Sequence, residues 1–569
     1  MPPAVSSPAS RLVAAHALGR RGAWQVALIG TLHAAALAMM VLTETDLVAE
    51  LAYLLTWGML NCFWLAITRR PAVSAALSLM MFVVVVLVSR LKYDIIWMTA
   101  NFLDVMIVDK DTVSFLLSIM PGLYRNVVIS VLLVLPLLAL LWRFDAFRVR
   151  PRSALAGFVG GLIGITTLSL AEPQEDWETF LGGGYVSKFV RSGVESISTL
   201  MLHGYMESDA TVAEGLKLLP TATCTSSARP PHIIMVHDES SFDIRALPGV
   251  RVPPGYGAHF RSFDGKARHF VVEGAGGPSW YTEYNVLAGL SARSFGKFSY
   301  YVTRIAAGRV ERGLPTALRR CGYHTFSIYP ALGAFMSARS FQASTGVQNF
   351  YDQQSLGTSR VEPDAFYYDA ARRMIDKEHA KGPMFIFVYL AQNHYPWNYR
   401  WRPDLLPDWK DLGNNPLVDE YLRRQALSAR DYADLLDHLK RNFPGESFLL
   451  VRYGDHQPDF ASFMVEPGLD DAGIAQRLNS FDPRYFTTYY AIDAINYAPV
   501  NVSEARDTVE GPYLPMITQE LAGLPLDASF AEQRRISQRC RGVFYACAGG
   551  AEARRFNRLL IDAGLIKGL

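Results

Sequence analysis

Glu239, Ser279, Asp455 and His456 are the residue types that a one-metal site with a hydroxyl nucleophile requires. Glu239 lies in His237-Asp238-Glu239-Ser240-Ser241-Phe242-Asp243, directly after the apolar run 233–236. A carboxylate at a strand's end can hold a hard or borderline divalent cation through oxygen. Asp238 and Asp243 compete for that role, and a solvated loop acid is the plainer alternative for each. Ser279 closes Gly274-Ala275-Gly276-Gly277-Pro278-Ser279 and precedes a helical stretch. The glycines allow backbone to approach a ligand closely. A hydroxyl at a helix start would be exposed, beside free N–H groups that favour an anionic phosphate. A metal at that hydroxyl would lower its pKa for attack. An ordinary N-cap serine is the competing reading, and Thr282 is the rival nucleophile.

Asp455 and His456 stand in Tyr453-Gly454-Asp455-His456-Gln457-Pro458 after the apolar run 448–452, where one loop can turn both inward. His394, in Gln392-Asn393-His394-Tyr395-Pro396-Trp397, also follows an apolar run. It could donate to phosphate or serve as acid and base. Each histidine alone is more often structural. The order of the four sites along the chain is what raises their interest.

These sites need a scaffold, and 230–569 supplies the pattern for one. Short apolar runs at 232–236, 269–272, 323–329, 384–390 and 447–452 read as buried strands. Helical patterns lie between them at 314–320, 364–377 and 418–441. Alternating strands and helices imply an α/β domain with a largely parallel sheet, whose chemistry sits beyond the strands' carboxyl ends. Glu239, His394 and Asp455-His456 all fall there.

The first 171 residues are different. Five apolar stretches, at 24–42, 47–68, 72–89, 126–142 and 153–171, match the roughly 20 residues a helix needs to cross a bilayer. Pro136 interrupts the fourth, which a span tolerates. The first is followed by further spans and lacks a cleavage pattern, so it is not read as a signal peptide. Arg11, Arg20 and Arg21, then Arg69 and Arg70, then Arg143, Arg148, Arg150 and Arg152 alternate onto one side. Positive charge marks the cytoplasmic side. The amino terminus is therefore expected in the cytoplasm of an inner-membrane protein, with everything after 171 periplasmic or otherwise extracytoplasmic. The segment 92–123 mixes Ile95, Trp97 and Phe102 with Asp94, Asp104 and Asp109, and suits either the outer membrane surface or a packed loop. The expected organisation is a five-span domain at 1–171, a linker at 172–229 and a catalytic domain at 230–569.

A net charge of +2 without a basic run argues against a nucleic-acid partner. Neither a phosphate-binding GxxxxGK[ST] nor a dinucleotide fingerprint occurs, so nucleotide use has no support. Cys62 lies in an apolar span. Cys224, Cys321, Cys540 and Cys547 allow three pairings, with Cys540–Cys547 preferred because the two are close in sequence.

With these motifs, the soluble half resembles the alkaline phosphatase and sulfatase superfamily. Together with five spans, the chain resembles the lipoteichoic acid synthase-like branch of membrane phosphoglycerol transferases. The resemblance rests on Glu239-Ser240, on Ser279 with Glu283-Tyr284-Asn285-Val286-Leu287-Ala288-Gly289, and on Gly454-Asp455-His456. It implies a five-helix transmembrane bundle joined to an α/β sulfatase-like domain. It implies one divalent metal, manganese first with magnesium or zinc as alternatives, held by Glu239, Ser279, Asp455 and His456. His394 matches the family's substrate histidine, and Arg339, ahead of Phe350-Tyr351-Asp352, matches its substrate arginine about one residue out of register. The implied partners are a phospholipid donor and an envelope glycan or lipid acceptor. Two departures matter. The family's nucleophile is typically threonine, and Ser279-Trp280-Tyr281-Thr282-Glu283 lacks the x-Pro-x-Arg that true sulfatases use to make formylglycine. Relatives that transfer phosphoethanolamine often carry more disulfides, which ranks that activity, or hydrolysis at the same site, second. A non-catalytic scaffold is a third reading.

Overall fold

The computed structural model describes residues 8–569 apart from 97, 107–112, 114–116, 118–121, 175–177, 180, 213–214, 217–223 and 225–229. Much of the amphipathic segment 92–123 therefore lies outside the described residues. The chain divides into two compact units, Met1–Val108 with Leu116–Ser198, and Asp109–Phe115 with Thr199–Leu569.

Among the described residues of the first unit, five helices are long and apolar enough to cross a membrane: Gly22–Thr43, Leu47–Thr68, Pro71–Asp94, Leu123–Phe144 and Pro151–Ala171. Pro136 sits inside the continuous fourth helix. The second helix starts at a cap in which Asp46 Oδ1 accepts from the Ala49 N–H at 2.9 Å. It packs on the fifth helix through small residues. A Cβ at Gly157 would stand 2.5 Å from Cys62 Sγ, and one at Gly161 would stand 2.8 Å from Met59 Cβ. Such close approach is how apolar helices gain contact without a hydrophobic driving force between them. At the arginine-bearing end, buried Asp145 accepts from the Ala72 and Val73 N–H groups at 2.8 and 3.2 Å. That carboxylate answers the open N–H groups of the third helix. The stretch expected as a linker contains the helix Tyr185–His203.

The second unit is built on one eight-stranded sheet in the order β4-β3-β5-β1-β6-β7-β2-β8. The strands are β1 His232–Asp238, β2 Arg268–Val271, β3 His324–Ile328, β4 Asn349–Tyr351, β5 Met384–Tyr389, β6 Phe448–Gly454, β7 Thr487–Ile495 and β8 Thr508–Glu510. Strands β4, β3, β5, β1 and β6 run parallel, and β7 runs antiparallel to both β6 and β2. The sheet is thus mostly parallel and mixed at one side. β1, β5 and β6 are buried along their whole length, and their apolar stretches 233–236, 384–389 and 448–451 suit strands covered on both faces. One face packs Ile234, Val236, Ile386, Val388 and Leu450 against Tyr367, Ile375, Leu435 and Leu439 of helices Asp364–Glu378 and Pro416–Asn442.

Three strands are absent from the sequence reading. β4 and β8 have three residues each, too few for a period to emerge. β7 carries Thr488 and Asp493, polar residues that a buried strand tolerates only with partners. It has them: Thr488 Oγ1 donates to Gly454 O at 2.8 Å, and Tyr432 OH donates to Asp493 Oδ2 at 2.8 Å. Cys224 pairs with Cys321 and Cys540 with Cys547, while Cys62 is free.

Candidate active site

The register of β1 on β6 builds the site. Asp238 lies opposite Gly454, so Glu239 and Asp455 leave neighbouring strand ends together. Gly454 has no substitute there: a Cβ would fall 1.7 Å from Ser241 O. Ser240 adopts φ +49°, an uncommon conformation for a residue with a side chain. This turns its N–H onto Asp455 Oδ1 at 2.7 Å. Strain of this kind persists where surrounding contacts over-determine it.

Ser279 is the first residue of helix Ser279–Ala288. Its Oγ–H donates to Glu239 Oε2 at 3.2 Å, and Oγ lies 3.1 Å from His456 Nε2. His456 Nε2 lies 3.4 Å from both Glu239 Oε1 and Asp455 Oδ2. The four residues singled out for metal chemistry therefore meet at one point. One expectation needs correction. Ser279 opens a helix as expected, but its hydroxyl is not exposed: the residue is only 6% exposed, with Glu239 and His456 against Oγ. Glu239 is likewise buried at 3% rather than solvated in a loop.

The competing residues are engaged elsewhere. Thr282 is fully buried and its Oγ1 donates to Asp455 O at 2.7 Å. Asp238 accepts from Tyr489 OH and lies 3.5 Å from His259. Asp243 pairs with Arg245 and caps the turn that follows.

His394 and Arg339 make their hydrogen bonds outside the cluster. The His394 ring is exposed, with Nδ1 2.8 Å from Tyr395 O. Its loop is held by buried Arg424, which donates to His394 O at 2.8 Å, Pro396 O at 2.7 Å and Glu420 Oε1 at 2.8 Å. Arg339 is half-exposed, bonded to Asp352 Oδ2 at 2.5 Å and to Phe350 O at 3.2 Å.

His237 was missed as a site residue. Its Nε2 lies 3.2 Å from Asp455 Oδ2 and its Nδ1 3.0 Å from Tyr453 OH, both fully buried. His237, Glu239 and Asp455 can each turn one ligand atom to within 4.8 Å of the others. The signal was present: His237 stands two residues before Glu239, at the end of the same apolar run.

Electrostatics follow from this crowding. Burial alone would raise the Asp455 carboxyl, but charge on His456 and the bond to His237 hold it well below the ordinary carboxylate range. Burial disfavours charge on His456, yet Asp455 and Glu239 push its imidazole up to about 9. Two buried carboxylates thus demand a nearby positive charge. With imidazole nitrogen and a hydroxyl converging beside them, the donor set fits a hard or borderline divalent cation.

Residues 276–480 match the family model described as Sulfatase, a span that includes Ser279, Arg339, His394, Asp455 and His456. No curated protein matches the chain. Among solved structures, the Streptococcus pyogenes phosphoglycerol transferase GacH, in complex with sn-glycerol-1-phosphate, is 14% identical with a TM-score of 0.44, over 61% of this chain and 89% of that one. The lipoteichoic acid synthase LtaP from Listeria monocytogenes is 14% identical with a TM-score of 0.40, over 53% and 74%. The integral membrane lipooligosaccharide phosphoethanolamine transferase A from Neisseria meningitidis is 11% identical with a TM-score of 0.44, over 84% and 99%.

Proposed function

We propose that this chain, whose residues 276–480 form a sulfatase-family domain, is a metal-dependent membrane phosphotransferase. It moves a phospholipid headgroup phosphate, phosphoglycerol in the leading reading, to an envelope glycan or lipid. The observation that carries the reading is Ser279 Oγ at a helix start, between Glu239 and His456 at 3.2 and 3.1 Å. Five apolar helices and the alternating arginines support an inner-membrane protein with a periplasmic catalytic domain, where lipid donors are present and ATP is not.

Glu239, Ser279, Asp455 and His456 would hold one divalent metal, manganese first with magnesium or zinc as alternatives, and His237 would orient Asp455 from behind. Such an ion supplies a lowered hydroxyl pKa and screening of phosphoryl charge. Ser279 Oγ attacks the donor phosphorus. The Oγ–P bond forms as the P–O bond to diacylglycerol breaks, Glu239 is placed to accept the hydroxyl proton, and diacylglycerol leaves with a proton. An acceptor hydroxyl then attacks the headgroup-phosphoryl serine and loses its proton, and Ser279 regains one. One ester replaces another, with no oxidant or nucleotide consumed. Arg339 and His394 are assigned to the phosphoryl oxygens.

A second reading keeps the site and takes phosphatidylethanolamine as donor, or water as acceptor. The test is intact mass of the full chain in vesicles of phosphatidylglycerol or of phosphatidylethanolamine. A glycerophosphoryl adduct on Ser279 supports the first reading and a phosphoethanolamine adduct the second. No adduct and no headgroup release from either lipid would leave the scaffold reading standing.

A further inference from the structure

Glu283 lies four residues after Ser279, about one turn along the same helix. Gln342 lies three residues after Arg339 on helix Ala338–Ser344. Gln342 Nε2 donates to Glu283 Oε1 at 2.9 Å, and both side chains are fully buried. Their remaining oxygens, Glu283 Oε2 and Gln342 Oε1, have no partner among the described residues. Two unpaired atoms on side chains already joined by one hydrogen bond are unusual, because buried polar groups are nearly always satisfied. An ionised carboxylate offers only acceptors and so leaves Gln342 Oε1 unanswered. A neutral acid has an O–H to give it. One proton on Oε2 would supply the donor that an ionised Glu283 lacks.

We propose that Glu283 is a neutral acid paired with the Gln342 amide, and that this pair clamps the nucleophile helix to the helix bearing Arg339. Both are positioning residues, and the proposal rests on the reading that Ser279 and Arg339 act on the same phosphate. The surroundings agree. The titratable groups facing Glu283 are Tyr329 next to β3, Tyr389 at the end of β5 and Tyr453 in β6, all buried, and none is a cation. Burial in that setting pushes the Glu283 carboxyl up to about 8. The folded chain then holds this proton to higher pH than the unfolded chain. The linked stability is fully present below the ordinary value of 4.5 and is lost as pH rises from there to about 8.

The test compares Glu283→Gln, a neutral isostere that can still pair, with Glu283→Ala. Two readouts on the full chain are used: adduct formation on Ser279 in phosphatidylglycerol vesicles, and thermal unfolding between pH 4.5 and 8. Glu283→Gln should form adduct within about twofold of the parent and unfold with a shallower pH dependence. Glu283→Ala should be slower by about tenfold or more, since small misplacements of reacting groups are costly. Adding Arg339→Ala to Glu283→Ala should slow it little further, because the clamp acts through that arginine. The proposal is overturned if Glu283→Gln is as slow as Glu283→Ala, or if its unfolding keeps the parent's pH dependence. If the parent forms no adduct, the functional reading fails while the unfolding comparison still decides the pair.

Discussion

The backbone N–H of Ser240 donates to Asp455 Oδ1 at 2.7 Å, joining residues 215 positions apart at the ends of two adjacent parallel strands. The same carboxylate lies 3.2 Å from His237 Nε2 and 3.4 Å from His456 Nε2 through its other oxygen. Asp455 is therefore the fixed point of the cluster, and Glu239 and Ser279 are placed with respect to it.

Replacing that fixed point should empty the site without unfolding the domain. Asp455→Ala and His456→Ala should each lower metal affinity by more than the roughly 10–100-fold that loss of an outer hydrogen-bond partner costs. His237→Ala, which removes such a partner, should fall within that range. Metal content measured after equilibrium dialysis checks this, and parent-level metal in both Asp455→Ala and His456→Ala would remove the pair from the site.

Ser279→Ala should abolish turnover and adduct together, whereas Ser279→Thr keeps a hydroxyl and should retain some of both. Thr282→Ala should cost far less, because its Oγ1 is occupied by Asp455 O. Peptide mapping of trapped adduct decides between them. Adduct surviving in Ser279→Ala, or vanishing in Thr282→Ala, would reassign the nucleophile.

The five apolar helices and the arginine pattern predict that the catalytic domain leaves the cytoplasm. A paired reporter fused after Leu569 should be active only in its periplasmic form. Activity only in the cytoplasmic form would sink the lipid-donor chemistry as well as the topology.

His259 should make the second unit sensitive to acid. Burial, with Arg452 at 2.8 Å from Nε2, pushes its imidazole down to about 4 from the ordinary 6.5. The unfolded chain then binds this proton first, so stability rises with pH between those values and is lost as pH falls through them. His259→Gln should unfold with a shallower slope there, by up to about 1.4 kcal/mol per pH unit. An unchanged slope would show that His259 does not titrate in this way.

How much of this was legible in the sequence depends on the range of the interaction concerned. The five long helices could be read directly, because crossing a membrane imposes a length and composition that no partner can relax. β1, β5 and β6 could be read because burial on both faces favours a continuous apolar stretch at the centre of each strand. The order of residues around Glu239, Ser279 and Asp455-His456 was visible for a similar reason, since each sits where a strand ends or a helix begins.

What only the tertiary structure decided is everything set by one segment's register on another. β7 holds Thr488 and Asp493 because Gly454 O and Tyr432 OH satisfy them, and neither partner is near in sequence. Cys224 meets Cys321 across 97 residues, the pair left over once the preferred Cys540–Cys547 bridge forms, and only the fold brings them within reach. His237 joins Asp455 only because β1 and β6 are neighbours with residue 238 opposite residue 454. Composition and periodicity settle which face of an element is buried. They are silent on which element covers it, and a site made by adjacent strand ends depends on that second fact.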